Sequence, residues 1–192
     1  MLEYTEEVRG ILSLQLYGAE DCAALIEHAR EAAAWTRAEV FVPADDGGYS
    51  AAVREERAAS VFAPDAGSEV MRVFEAKMGG VVKPLVKRLW GADLPSHSST
   101  HLVRYGPGHY YREHTDVADE EPYRYFSFVC YLNDDFEGGH TAFPGLGHAV
   151  APRRGKAVVF PSPYLHRAEP VTRGEKYVLV SWLTGRLPIR WI

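Results

Sequence analysis

The sequence predicts an α+β fold that is mainly β: a double-stranded β-helix, or jelly roll, braced by N-terminal helices. Two observations carry this. The first half reads mainly helical, with two stretches in which apolar residues recur at three- and four-residue spacing, the period of a helix with one buried face. From about Ser98 the texture changes to short β-branched and aromatic runs punctuated by Gly, Pro and Asn-Asp, the pattern of antiparallel strands. No linker divides the halves. Residues 1–192 are therefore read as a single domain, with 1–97 as helical support and outer strands and 98–186 as the jelly-roll core.

The first helix begins near residue 18, with Cys22, Leu25, Ile26, Ala29 and Ala33 as its stripe. The second runs from Ser68 to Trp90 through Val70, Phe74, Met78, Val81, Leu85 and Leu89, and Gly79, Gly80 and Pro84 predict a bend or break in it. Between them FVPADDGGYS is turn-rich and reads as a loop, and its Gly content around Asp45 to Tyr49 suggests part of a lid within the 40–60 region. The expected strands are THLVRY, YYREHTD, YRYFSFVCYL, HTAFP, KAVVF, LHRAEPV and KYVLVSWLTG. Seven or eight strands at this spacing suit a jelly roll with the helices covering one outer face.

The chain has 192 residues, 46% hydrophobic and 24% charged, with no low-complexity run or repeat, so disorder and solenoid architectures drop out. Net charge is −5 and the basic residues are scattered, which predicts no nucleic-acid partner. The start, MLEYTEEVRG, is acidic where a secretory leader is basic, and no apolar run reaches membrane-spanning length; the expectation is a cytoplasmic protein with no membrane partner. Nothing in the sequence sets an oligomeric state. Cys22 and Cys130 lie on apolar faces of a helix and a strand and read as buried free thiols.

His114-Thr115-Asp116 falls on an expected strand, where side chains two apart share a face, so an imidazole and a carboxylate can converge on one ion. A third ligand from a distant strand would complete the two-His-one-carboxylate arrangement that leaves metal positions open. Alone, such a pair is as consistent with a surface His beside an Asp. In LHRAEPVTRGEKYVLVSW, His166 is followed ten residues later by Lys176 at the start of an apolar strand. Either the Lys176 ammonium snorkels to water, or a carboxylate of the protein or of a ligand meets it. Val178, Val180 and Trp182 share its face and would wall the barrel interior.

From about Leu102 to Leu183 the chain resembles the prolyl 4-hydroxylase-like group of 2-oxoglutarate/Fe(II) dioxygenases. The resemblance rests on RYGPGHYYREHTD, CYLND, GGHTAFP, PRRGKAVVFP and LHRAEPVTRGEKYVLVSWL, in the family's order and close to its spacing. It implies that His114, Asp116 and His166 are the catalytic iron ligands. It further implies that 2-oxoglutarate chelates the iron, pairs its C5 carboxylate with Lys176 and meets the hydroxyls of Tyr131, Tyr105 and Thr141. Arg124, Tyr111 and Trp182 would face the substrate, with packing of Tyr105, Tyr131 and Thr141 in the core and exposure of Arg124 as the competing readings.

The implied cofactors are Fe(II), 2-oxoglutarate and O2, with ascorbate as an addition. The implied reaction is hydroxylation of an unactivated C–H bond, with release of succinate and CO2. Its substrate would be an amino acid, a prolyl or other peptidyl side chain, or a small natural product. Asp116 favours hydroxylation over halogenation, because the related halogenases lack that carboxylate. The competing class is a non-catalytic cupin-like metal-binding or 2-oxoglutarate-sensing protein. Two departures stand out: His140 where many relatives have Glu, and a short VADEEPY loop. By parity with Thr141, His140 should point away from the metal. His28, His97, His101, His109 and His148 have no spacing partner and read as surface or structural residues.

Overall fold

Each face of the main β-sheet buries a different set of side chains, and this alternation organises the molecule. The structure is a computed structural model that describes residues 3–31, 35–43, 45, 49–117 and 123–186. Strands β1 (Thr5–Val8) and β2 (Ile11–Gln15) form a hairpin ahead of helix α1 (Ala19–Glu31). Five short strands follow: β3 (Thr36–Arg37), β4 (Val40–Pro43), β5 (Tyr49–Ala52), β6 (Arg57–Ala58) and β7 (Ser60–Phe62). Helix α2 (Glu69–Lys77), a π-helical turn (Met78–Val82) and helix α3 (Lys83–Trp90) then run head to tail.

The rest is β structure: β8 (Ser96–Tyr105), β9 (Tyr110–His114), β10 (Arg124–Tyr131), β11 (Glu137–Gly138), β12 (Thr141–Phe143), β13 (His148–Val150), β14 (Lys156–Pro161), β15 (His166–Ala168), β16 (Val171–Arg173) and β17 (Lys176–Thr184). The major sheet has the order β1-β2-β14-β10-β17-β8-β7-β3 and the minor sheet β13-β12-β15-β9-β6, and every pairing is antiparallel. Two strand pairs, β4 with β5 and β11 with β16, stand apart.

Leu102, Phe126, Phe128, Cys130, Ala157, Val159, Tyr177 and Leu179 of the major sheet bury against Leu25, Phe74, Met78, Val82 and Leu85 of the helices. Their neighbours in the strands, Val103, Tyr105, Tyr131, Val158, Phe160 and Val178, point the other way and pack with Phe143 and Val150 of the minor sheet. The result is three layers, helices on sheet on sheet, as period-two alternation requires of a sheet covered on both faces. Cys22 and Cys130 are buried free thiols. No helix among the described residues is long and apolar enough to cross a membrane.

The first helical stripe falls where expected. Cys22, Leu25 and Ala29 are buried while Ile26 is half-buried, and Ala33 lies outside the described residues. In the second, Val70, Phe74, Met78 and Leu85 are buried, but Leu89 is exposed and Val82 and Val86 are buried in place of Val81 and Leu89, because the π-helical turn shifts the buried face. Ser68 caps α2 by accepting the Met71 N–H through its Oγ at 3.3 Å. The bend expected at Gly79 and Gly80 takes the form of the π-helical turn, and Gly91, at φ 67°, closes α3 in the left-handed conformation.

Three further expectations are corrected. The first half is not mainly helical, since seven strands precede residue 63. FVPADDGGYS is more than a loop, because Val40–Pro43 pairs with Tyr49–Ala52 as β4 and β5; of the residues suggested as a lid, 44 and 46–48 lie outside the described ones. LHRAEPV is not one strand: β15 pairs with β9 and β12, Pro170 interrupts, and β16 pairs with β11.

Phe128 is fully buried in the central strand β10 and meets Phe74 of α2 edge-on, with ring centroids 5.9 Å apart. Phe128→Ala should cost about 3–5 kcal/mol of unfolding free energy, measured by chemical denaturation; a loss below about 1 kcal/mol would contradict the helix–sheet packing described here.

Candidate active site

Strands β9 and β15 lie side by side in the minor sheet, and their register sets His166 directly opposite His114. The strand expected to carry both His114 and Asp116 ends at His114, so Asp116 reaches the histidines from the bend that follows. There its backbone N–H donates to Ser162 O at 2.9 Å. Asp116 Oδ1 lies 3.5 Å from His114 Nε2, and Asp116 Oδ2 lies 3.4 Å from His166 Nε2. One donor atom from each residue fits within a 4.8 Å cluster that can hold a metal ion.

Both imidazoles are oriented alike. His114 Nδ1 sits 2.7 Å from Arg112 O and His166 Nδ1 sits 2.9 Å from Tyr164 O, so each Nδ1–H donates to a carbonyl and each Nε2 turns its lone pair to the cluster. Burial pushes His166 down to about 4, with Asp116 opposing, so the ring is neutral at neutral pH and available as a ligand. Burial alone would raise the Asp116 carboxyl, but His166, His114 and a hydrogen bond from Ser127 outweigh it and hold the group well below the usual carboxylate range.

Lys176 opens β17 opposite Tyr105 of β8 and is only 2% exposed. Its ammonium donates to Gly139 O at 2.6 Å and stands 4.9 Å from the Tyr105 ring and 5.2 Å from the Tyr131 ring. No ion pair among the described residues involves it. The carbonyl comes from a tight turn that only glycines allow: a Cβ on Gly138 (φ +76) would stand 2.3 Å from Pro170 O, and one on Gly139 (φ +65) would stand 3.1 Å from Lys176 Cδ. Of the two alternatives for Lys176, the snorkelling one is therefore excluded.

A small cavity joins the two groups, since His114, Asp116, His166 and Lys176 all line it together with Tyr105, Tyr111, Thr141, Val178, Val180 and Trp182. The apolar wall expected on β17 is thus present. Tyr131 is fully buried behind Thr141: its hydroxyl lies 2.6 Å from Thr141 Oγ1 and accepts the Thr141 N–H at 3.1 Å. His140 points elsewhere, with Nδ1 3.8 Å from Glu169 Oε2.

The cavity opens into a cleft of about 1040 Å³ bordered by Val40, Val42 and Ala51 of the β4–β5 pair and by Tyr111, Arg124 and Trp182. The Arg124 guanidinium stacks on the Trp182 ring at 3.8 Å, and the Tyr111 ring stacks on His114 with centroids 3.6 Å apart. Burial pushes the Tyr111 phenol up to about 12, with Arg57 opposing.

Sequence reasoning missed four residues here. Arg57 borders both cavity and cleft and lies 4.8 Å over the Tyr111 ring; the pairing of β6 with β9 brings it there, and nothing in its spacing announced it. His101, expected to be a surface or structural residue, lines the cleft beside Trp182. Ser127 and Ser162, both buried, hydrogen-bond around Asp116. For Ser127 a signal existed: it is the one hydroxyl-bearing aliphatic residue in the apolar run YFSFVCYL.

Burial drives the Lys176 amine down from 10.5 to about 7, with Glu169 opposing. Between those values the unfolded chain keeps a proton that the folded chain has released, so stability should rise with pH across that window. Denaturation midpoints of ligand-free protein from pH 7 to 10 should show this slope, and Lys176→Met should remove its part of it; an unchanged slope would rule out a buried amine as the source.

Residues 100–184 match the sequence model of the 2OG-Fe(II) oxygenase superfamily. Human prolyl 4-hydroxylase subunit alpha-1 is 30% identical over 137 residues, covering 58% of this chain and 26% of that one. A Pseudomonas putida prolyl-4-hydroxylase superposes with a TM-score of 0.71 at 24% identity, covering 94% of this chain and 95% of that one. A prolyl hydroxylase from Trichoplax adhaerens, solved in complex with a hypoxia inducible factor oxygen degradation domain peptide fragment, gives 0.71 at 13% identity over 91% and 83%. The two structures share the fold. The chain spans about half or less of the curated relatives it matches, 56% of one and 26% of another. The matched segment carries His114, Asp116, His166 and Lys176, so the similarity to the 2OG-Fe(II) oxygenase superfamily falls on the residues that line the small cavity.

Proposed function

We propose that the protein is a 2-oxoglutarate- and Fe(II)-dependent hydroxylase that oxidises an unactivated C–H bond of a peptidyl side chain, with prolyl residues the first candidates and free amino acids or small natural products the wider class. In this reading residues 1–192 act as one catalytic domain. The observation that carries it is one cavity holding a two-His-one-carboxylate donor set at one end and, at the other, a buried ammonium with no carboxylate partner among the described residues.

The residues fit the cofactors. Two imidazoles and a carboxylate are the donor set of a facial triad, with other metal positions left open. The buried Lys176 cation calls for an anion, and a dicarboxylate chelated at the triad would bring one. When bound, Fe(II) with 2-oxoglutarate and O2 supplies the oxidant that hydroxylates the substrate, yielding succinate and CO2, and ascorbate serves as an additive.

The chain's own groups do the rest. His114, Asp116 and His166 hold the metal, Lys176 receives the far carboxylate, and Tyr105 and Thr141 offer hydroxyls to it, with Tyr131 bracing Thr141. Val178, Val180 and Trp182 keep water from the cavity wall. Tyr111, Arg124 and Trp182 border the cleft through which a substrate side chain enters. Hydroxylase relatives and a structural neighbour solved with a peptide support this reading, and no observation favours the non-catalytic sensor.

Anaerobic addition of Fe(II) and 2-oxoglutarate should produce the weak visible charge-transfer band of the chelate; a folded protein showing none would rule out the assignment. With O2, prolyl peptides should raise succinate formation more than free amino acids do. His166→Ala and Asp116→Ala should abolish turnover. Lys176→Ala should weaken 2-oxoglutarate binding by about 2–5 kcal/mol, roughly 30-fold or more, because the co-substrate would leave an unpaired buried charge. Unchanged 2-oxoglutarate affinity in that variant would remove Lys176 from the site.

A further inference from the structure

The three residues of the donor cluster are not held by the same part of the protein. His114 and His166 sit on paired strands of the minor sheet and are oriented by carbonyls of their own segments. Asp116 lies beyond the end of β9, where no strand ladder fixes it. What fixes it comes from the major sheet. Ser127, in the central strand β10, donates its hydroxyl to Asp116 Oδ2 at 2.5 Å, a short charge-assisted bond. The same Ser127 Oγ lies 3.1 Å from Ser162 Oγ, just past β14, and Ser162 O accepts the Asp116 N–H. Ser127 and Ser162 are 1% and 0% exposed, so neither can exchange these bonds for water.

We propose that Ser127, backed by Ser162, is a positioning residue for the metal site: it locks the rotation of the Asp116 carboxylate and occupies Oδ2, leaving Oδ1 as the oxygen offered to the ion. A carboxylate free to turn would offer either oxygen or both, and a second bound oxygen would take a metal position that the co-substrate needs. The assignment rests on the proposed iron site and adds residues that touch neither metal nor substrate. A serine that only filled space in β10 would show itself in fold stability and nowhere else.

The test uses the full chain and Co(II), whose visible spectrum reports ligand number and geometry without turnover. Ser127→Ala should weaken Co(II) binding by about 10- to 100-fold and shift the Co(II) bands, in a protein that still folds. Ser127→Thr, which keeps the hydroxyl, should restore affinity and spectrum. If Ser127→Ala folds poorly, Ser162→Ala reads the same arrangement, because it keeps the backbone hold on Asp116 and removes only the hydroxyl behind Ser127; a spectral shift with weaker binding is expected there too. Unaltered affinity and spectrum in a folded Ser127→Ala, or in Ser162→Ala where that variant stands in, would overturn the proposal and leave the metal site intact. Failure of the unsubstituted protein to bind Co(II) would instead overturn the metal site itself.

Discussion

The antiparallel register of β9 and β15 is the constraint on which the site depends. Once His166 stands opposite His114, two imidazoles from segments about fifty residues apart face one point, and each needs only a carbonyl two residues back to turn its Nε2 inward. A slip by one residue would send either ring to the other face of the sheet. Phe143 and Phe160 pack around His166, with His166 and Phe160 centroids 4.7 Å apart.

Two sheets then divide the work. The minor sheet supplies the imidazoles, while the major sheet supplies Lys176, the apolar wall of β17 and the hydroxyls around Asp116. Function is concentrated where they face each other, because only there does alternation aim side chains from both sheets into one enclosed space. Among the described residues the helices contribute none to the small cavity; they cover the opposite face of the major sheet.

The mainly β fold with bracing helices was legible in the sequence, and so were the residues that the structure gathers around the small cavity, while the short N-terminal strands were not. His114, Asp116, His166 and Lys176 were legible because two short motifs carry them and the apolar runs beside them are long. Strand parity nonetheless gave the wrong reason for Asp116, which lies past the end of β9. Arg57 and His101 were not legible, since only the pairing of β6 with β9 and of β8 with β17 brings them to the cleft. The N-terminal strands escaped for a simpler reason: β3, β6 and β7 have two or three residues each, too few to show alternation.

Because the imidazoles belong to one sheet and the carboxylate is tethered to the other, the donor cluster works as a gauge of the gap between them. Small separations of the sheets, well short of unfolding, would part Asp116 from the histidines while every strand kept its own hydrogen bonds. Conversely, an ion bridging the three would act as a rivet through the sandwich, adding its binding free energy to the contact between the sheets.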